Sequence, residues 1–226
     1  KIYGLTKGQY SPTSDRGFVS KSSPYGTTED PFIPAELVFG ARGNFFARSI
    51  DVELATTQEV MVAAAKHKGT SVVEILQNCV IFNHGIHNHI TDKEFRADRT
   101  IHLHHGEKMI FGKDKDKGLA LDYSQGLIPQ LIVVPADDER VLTHDATMQD
   151  PTLHRMLSMM GQDIPTSSPN CLITSSPLLP IALGVIRRVE TESYDTAVNQ
   201  QISEVRAKSK AQTFDQLTAT LEQWSL

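Results

Sequence analysis

Gly4-Leu5-Thr6-Lys7-Gly8, near the start of the chain, sets two glycines around a hydroxyl and an ammonium group. Glycines let backbone N–H groups approach an anion closely, Thr6 adds a hydroxyl and Lys7 a compact positive charge, the parts of a phosphate cradle. The same five residues also suit an ordinary surface turn. Cys79 is the second candidate. As a thiolate it would serve as one ligand of a metal cluster completed by other segments, and as a thiol behind an apolar run it would be a small core residue. A third group is histidine: His84, His87 and His89 lie in one stretch, and His102, His104 and His105 in another. Neutral imidazoles bind zinc or nickel, although the His-x-His spacing is loose and the flanks are polar. A His-rich metal-binding module without catalysis is therefore the alternative reading.

Other chemistry lacks its residues. There is no Gly-x-Ser-x-Gly elbow, no zincin helix and no Walker loop, so hydrolase and nucleotide-kinase readings have no support. Met156, Met159 and Met160 fall on an expected helix, where methionines fill core or subunit contacts, and Cys171 between Pro169 and Pro177 reads as structural.

These residues sit in a chain of 226 residues, 39% hydrophobic and 22% charged, with a formal charge of −5. That composition is globular and gives no general attraction to nucleic acid or an anionic membrane, so an anionic ligand must be held locally. No charged-then-apolar leader and no apolar run of about 18 residues is visible, which makes the cytoplasm the default location. Two cysteines are too few for a disulfide framework or a four-thiolate site.

The elements that must position the candidates follow from periodicity. Residues 5–33 are rich in Gly, Ser, Thr and Pro, a long functional or mobile connection. A helix is expected over Ala35–Gly40, a strand over Asn44–Ile50, a helix over Thr56–Lys68 and a buried interior strand over Ser71–Leu76. Thr56 and Glu59 fit a capping box and Gly69 a helix stop. This is α/β alternation, which favours a parallel sheet and puts Cys79 just past a strand's C-terminal end, where such sheets bind ligands. A polar turn at 112–118 joins two short strands, and helices are expected from Asp150 to Met160, Tyr194 to Lys208 and Thr213 to Trp224. A soft boundary near residue 90 divides regions 1–90 and 91–226.

Three runs taken together carry a resemblance: Ile2-Tyr3-Gly4-Leu5-Thr6-Lys7-Gly8-Gln9-Tyr10-Ser11-Pro12-Thr13-Ser14, Asp30-Pro31-Phe32-Ile33-Pro34, and His67-Lys68-Gly69 with Val73 to Asn83. They resemble the beta subunit of the 2-oxoacid:ferredoxin oxidoreductases, in its 2-oxoglutarate branch. The match covers about residues 1–85 specifically and is looser from 100 to 195, through Leu142-Thr143-His144-Asp145.

The resemblance implies an α/β fold, the C-terminal part of a thiamine-diphosphate-binding parallel-sheet domain (1–90) followed by a smaller α+β region (91–226). In that family a Gly-Asp-Gly segment ending in Asn directly precedes the Tyr-Gly-Leu-Thr-Lys-Gly run, and neither that segment nor that Asn is in this chain. Lys1 is therefore expected to lie at a cut within the cofactor motif of a longer subunit, leaving this part inactive alone. The carry-over makes Ile2 a magnesium ligand through its backbone carbonyl. It sets Gly4, Leu5 and Thr6 on the cofactor diphosphate and Lys7 on a substrate carboxylate. Cys79, in an Ile-Leu-x-x-Cys-x-x-Phe-Asn context, becomes a ligand of a 4Fe-4S cluster. The implied cofactors are thiamine diphosphate, magnesium and that cluster. The implied partners are an alpha subunit, ferredoxin, coenzyme A and a 2-oxoacid, either 2-oxoglutarate or pyruvate.

Overall fold

The computed structural model describes residues 2–124, 126–161, 179–208, 214 and 218. Two short strands, β1 (Ile2–Tyr3) and β2 (Gln9–Tyr10), pair antiparallel around the opening turn. Turn bonds order the long connection that follows: Ser11 N–H donates to Ser14 Oγ, Thr27 Oγ1 to Asp15 O and Phe32 N–H to Pro12 O. Then come α1 (Pro34–Gly40), β3 (Phe45–Ile50), α2 (Leu54–Lys66) and β4 (Ser71–Leu76). Single turns α3 (Asn88–Thr91) and α4 (Arg96–Arg99) lead to β5 (Thr100–Leu103), β6 (Ile110–Phe111), β7 (Lys117–Asp122) and β8 (Gln130–Pro135). The order closes with α5 (Thr152–Met159), β9 (Ile181–Arg188) and α6 (Tyr194–Lys208). The helix expected from Thr213 to Trp224 falls largely outside the described residues, and Cys171 wholly so.

The main sheet has the order β4-β3-β9-β5. β3 runs parallel to β4, and β5 parallel to β9, but β9 is antiparallel to β3. The sheet is thus mixed rather than wholly parallel, because the chain returns to it after the β6-β7-β8 meander and enters beside β3 from the opposite end. Strands from both sides of residue 90 share it. The chain forms one compact unit over Lys1–Glu190 and a second over Thr191–Leu226.

β3 is the centre of the packing, with every residue buried. Its alternation explains this: Phe45 and Ala47 meet Val60 of α2, while Phe46 joins Ile101, Leu103, Met109, Leu119, Leu157, Met160 and Ile186 on the other face. Each such side chain withdrawn from water contributes roughly 1.5–3 kcal/mol. Met159 and Met160 are buried, consistent with a core role for these methionines.

Two local expectations are corrected. β4 is an edge strand among the described residues, partly exposed along its length with Ile75 41% exposed, because β3 is its one partner there. α2 begins at Leu54, two residues before Thr56, so the Thr56/Glu59 capping box does not form. Glu53 stands at the cap instead. Thr56 Oγ1 donates to its carboxylate at 3.1 Å and Thr57 Oγ1 to its carbonyl at 3.0 Å, while His102 Nε2 lies 2.7 Å from the same carboxylate.

Candidate functional site

The opening turn is tight. Lys7 N–H donates to Gly4 O at 3.0 Å and Gly8 N–H to Tyr3 O at 3.1 Å, which reverses the chain between β1 and β2. Lys7 adopts φ 66° and Gly8 φ 95°, a left-handed pair that is unusual for a lysine and natural for a glycine. A Cβ on Gly8 would also lie 2.9 Å from the Phe82 ring. This brings the turn against the segment that follows β4.

That segment carries Cys79. A Cβ on Gly4 would sit at ordinary van der Waals distance, 3.5 Å, from Cys79 Sγ, which places the sulfur beside the turn. Ile2, Gly4 and Cys79 line one pocket of about 440 Å³, with Glu74, His87 and His89 also on its wall. The pocket lies at the C-terminal end of β4, the end of a parallel pair at which open α/β sheets hold ligands.

Hydrogen bonds from the backbone N–H of Phe82 and Ile81, with a further one from Asn83, push the Cys79 thiol below its ordinary pKa against the opposing effect of desolvation. Asn83 N–H also donates to Cys79 O at 3.0 Å, curling the chain around the sulfur. This is an environment for a thiolate or a metal-bound sulfur, since either carries the negative charge the N–H dipoles favour.

The loop is anchored on two polar side chains that sequence reading did not single out. Asp51, just after β3, accepts a 2.9 Å bond from Asn78 N–H on Oδ2, and Asn78 Oδ1 accepts a 3.0 Å bond from Gly85 N–H. Beneath the pocket, fully buried Arg48 donates from Nε to Glu74 Oε2 at 2.6 Å and from Nη2 to Ser158 O at 2.8 Å. The signal for both was the β3–β4 register, which opposes Arg48 to Glu74 and is invisible until the strands pair.

The remaining residues of the cradle lie at the rim. Leu5 is 98% exposed, Thr6 and Lys7 are exposed, and none of the three lines the pocket. Thr6 Oγ1 donates to Tyr3 O at 3.1 Å, so its hydroxyl hydrogen is committed within the turn and its backbone N–H is what it offers a ligand.

The histidines do not converge. Among the described residues no group of three His, Cys, Asp or Glu side chains could hold a metal ion. His102 faces Glu53, His104 lies 4.0 Å from Glu59 and His105 3.4 Å from Asp145, each on a different carboxylate. His87 and His89 share the pocket wall with ring centroids 6.5 Å apart, while His84 is exposed. Among the described residues these histidines thus form no three-ligand group of the kind that the metal-module alternative needs.

No family model matches the chain. Comparison with individual proteins gives a likeness: the chain is similar to beta subunits of 2-oxoacid:ferredoxin oxidoreductases, as the opening run and the Cys79 run imply. In particular, it is 36% identical over 206 residues to 2-oxoglutarate oxidoreductase subunit KorB of Mycobacterium tuberculosis, 91% of this chain and 51% of that protein. It is 39% identical over 103 residues to 2-oxoacid:ferredoxin oxidoreductase 1, subunit beta, of Aeropyrum pernix, 46% of this chain and 31% of that one. The chain thus spans about half the length of the Mycobacterium relative. A solved structure, 2-oxoglutarate:ferredoxin oxidoreductase from Magnetococcus marinus with 2-oxoglutarate, coenzyme A and succinyl-CoA bound, shares the fold. Its TM-score is 0.56 at 19% identity, over 98% of this chain and 55% of that chain. Among the described residues no helix is long and apolar enough to cross a membrane.

Proposed function

We propose that this chain is the part of a 2-oxoglutarate:ferredoxin oxidoreductase beta subunit that brings the substrate-facing turn and a cluster ligand together. The reaction is the oxidative decarboxylation of a 2-oxoacid, 2-oxoglutarate or pyruvate, to the acyl-coenzyme A, with electrons passed to ferredoxin. The observation that carries it is that Gly4 and Cys79 line one pocket: two runs far apart in sequence, each with its own implied role, meet there.

The residues present fit the implied groups. The Gly4–Gly8 turn has the backbone freedom and the cation to hold a diphosphate, with Ile2 O as a magnesium ligand and Gly4, Leu5 and Thr6 N–H groups as diphosphate donors. Lys7, beyond them in the turn, pairs with a substrate carboxylate and orients the keto carbon. Cys79 Sγ, with its amide donors, supplies one thiolate of a 4Fe-4S cluster, and the remaining ligands come from other segments. When bound, thiamine diphosphate supplies the nucleophilic carbon and accepts the electron pair released with carbon dioxide, and the cluster carries electrons singly towards ferredoxin.

The partner polypeptides follow from the same reading. Leu5, Val80 and Ile81, next to the pocket in sequence, are 98%, 68% and 77% exposed, an apolar rim suited to cover by an alpha subunit or a further segment of the beta subunit. That cover would exclude water from the Lys7 ion pair and complete the enzyme, which this chain alone would not be. In the complete, anaerobically prepared complex, Cys79→Ser is expected to lose the iron and acid-labile sulfide of one cluster. Iron and sulfide contents equal to wild type would overturn the assignment.

A further inference from the structure

Another cleft, of about 930 Å³, opens between α4 and the residues leading into it, the connection from β5 to β6, and the turn between β6 and β7. None of its wall residues lines the pocket of Cys79. Its volume falls within the range of small-molecule sites. Its charge is opposite to that of the chain: Lys93, Arg96, Lys108 and Lys115 line it against Glu53 and Glu107, in a protein whose formal charge is −5.

Paired charges build the walls of this cleft. Arg96 Nη1 lies 3.5 Å from Glu53 Oε1 and His102 Nε2 lies 2.7 Å from Oε2, so Glu53 is taken up by two neighbours. Gly112 N–H donates to Ala97 O at 3.0 Å, and Lys117 pairs with Asp98, which ties the β6–β7 turn to α4. The other cations are left over. Lys93, Lys108 and Lys115 come from three separate connections, are exposed, and have no ion-pair partner among the described residues. Like charges gathered around one cavity repel one another, and a bound anion relieves that repulsion.

The type and number of these groups point to the ligand. An ammonium group on a flexible stem is a point charge that suits phosphate oxygens. Three of them spread around a cleft match charge spread over more than one phosphate better than a single carboxylate. The concave shape suits a small molecule rather than the face of a protein. We propose that this cleft binds a small molecule carrying two or more phosphate groups, held by Lys93, Lys108 and Lys115, with Arg96 set in place by Glu53. The site stands apart from the roles given to Lys7 and Cys79 and does not depend on them.

The test is calorimetric titration of the complete complex, saturated with thiamine diphosphate, with inorganic pyrophosphate and with ADP in separate runs at low and high salt. Combining Lys93→Ala, Lys108→Ala and Lys115→Ala is expected to weaken binding by roughly tenfold or more. Glu107→Gln, which removes the wall carboxylate not engaged by a cation, should tighten binding by roughly twofold. Added salt should weaken the wild type more than the triple variant, since the lost interactions are between accessible charges. Equal affinity for pyrophosphate and ADP assigns recognition to the phosphates alone, and tighter binding of ADP assigns it to a nucleotide; either upholds the site. No binding by the wild type, or a triple variant that binds as tightly as the wild type, overturns it. A raised KM for ferredoxin in the triple variant, with neither anion bound by the wild type, also overturns it and gives the surface to an acidic protein.

Discussion

At the scale of single residues, the opening turn divides its work by conformation. Gly4 lies beside the sulfur of Cys79, while Gly8 contributes a left-handed backbone angle and the room that the Phe82 ring takes. Lys7 is a lysine held at φ 66°, a conformation costing on the order of 1 kcal/mol or more that an Asn or Gly would adopt more readily. Lys7→Ala in the complete complex is expected to raise the KM for 2-oxoglutarate roughly tenfold to a hundredfold, the loss of one charge-assisted hydrogen bond. The KM for thiamine diphosphate should hardly move. An unchanged oxoacid KM would remove Lys7 from the substrate site.

At the scale of elements, β3 is the strand from which the site is hung. Its Arg48 reaches sideways to Glu74 on β4 and, through Nη2, to the Ser158 carbonyl of α5, while its guanidinium carbon lies 5.6 Å from the centre of the Phe46 ring. Nη1 is buried without a partner among the described residues. Removing one member of such a pair leaves the other charge poorly compensated, so Arg48→Ala should destabilise the folded subunit by about 3–5 kcal/mol. The double replacement Arg48→Met with Glu74→Leu should recover most of that loss, because it removes both desolvated charges and keeps the volume. Chemical denaturation of the wild type and the two variants decides it. A double variant no more stable than Arg48→Ala would mean that the pair is not the source of the effect.

At the scale of the molecule, two buried imidazoles tie the return strand β9 to the rest. His154 Nδ1 lies 3.0 Å from Arg187 Nη1, which can only donate, so the ring proton is on Nε2, donating to Asp145 O at 2.7 Å. His144 Nε2 donates to Val185 O at 2.9 Å. Burial pushes both histidines below the ordinary value of 6.5, helped at His144 by His154 and His105 and at His154 by Arg187, and opposed by Asp145 and, at His154, Asp150. The unfolded chain therefore binds more protons near and below pH 6.5, and stability, full above that pH, is lost as the pH falls through it. At most about 1.4 kcal/mol per histidine per pH unit is at stake. The melting temperature should accordingly drop by a few degrees per unit between about pH 6.5 and 5. Replacing His144 by Asn should flatten that slope, and an unaltered slope would assign it to other groups.

The sequence by itself determined much of this. Chemical type is written locally, so the Gly4–Gly8 turn, the lone Cys79 and the family resemblance were legible without a fold, as were α6 from Tyr194 to Lys208 and the strand before Cys79. Periodicity reports which residues are apolar but not which strand will lie alongside, and for that reason β4 read as interior and the sheet as parallel. Only the tertiary structure brought β9 beside β3 in the opposite sense and left β4 at an edge among the described residues. It also decided the partners of the polar groups. Arg48 meets Glu74, and Asp51 meets Asn78, because two strands distant in sequence align in one register. A hydrogen bond depends on position to within tenths of an ångström, and that position is a property of the packed whole.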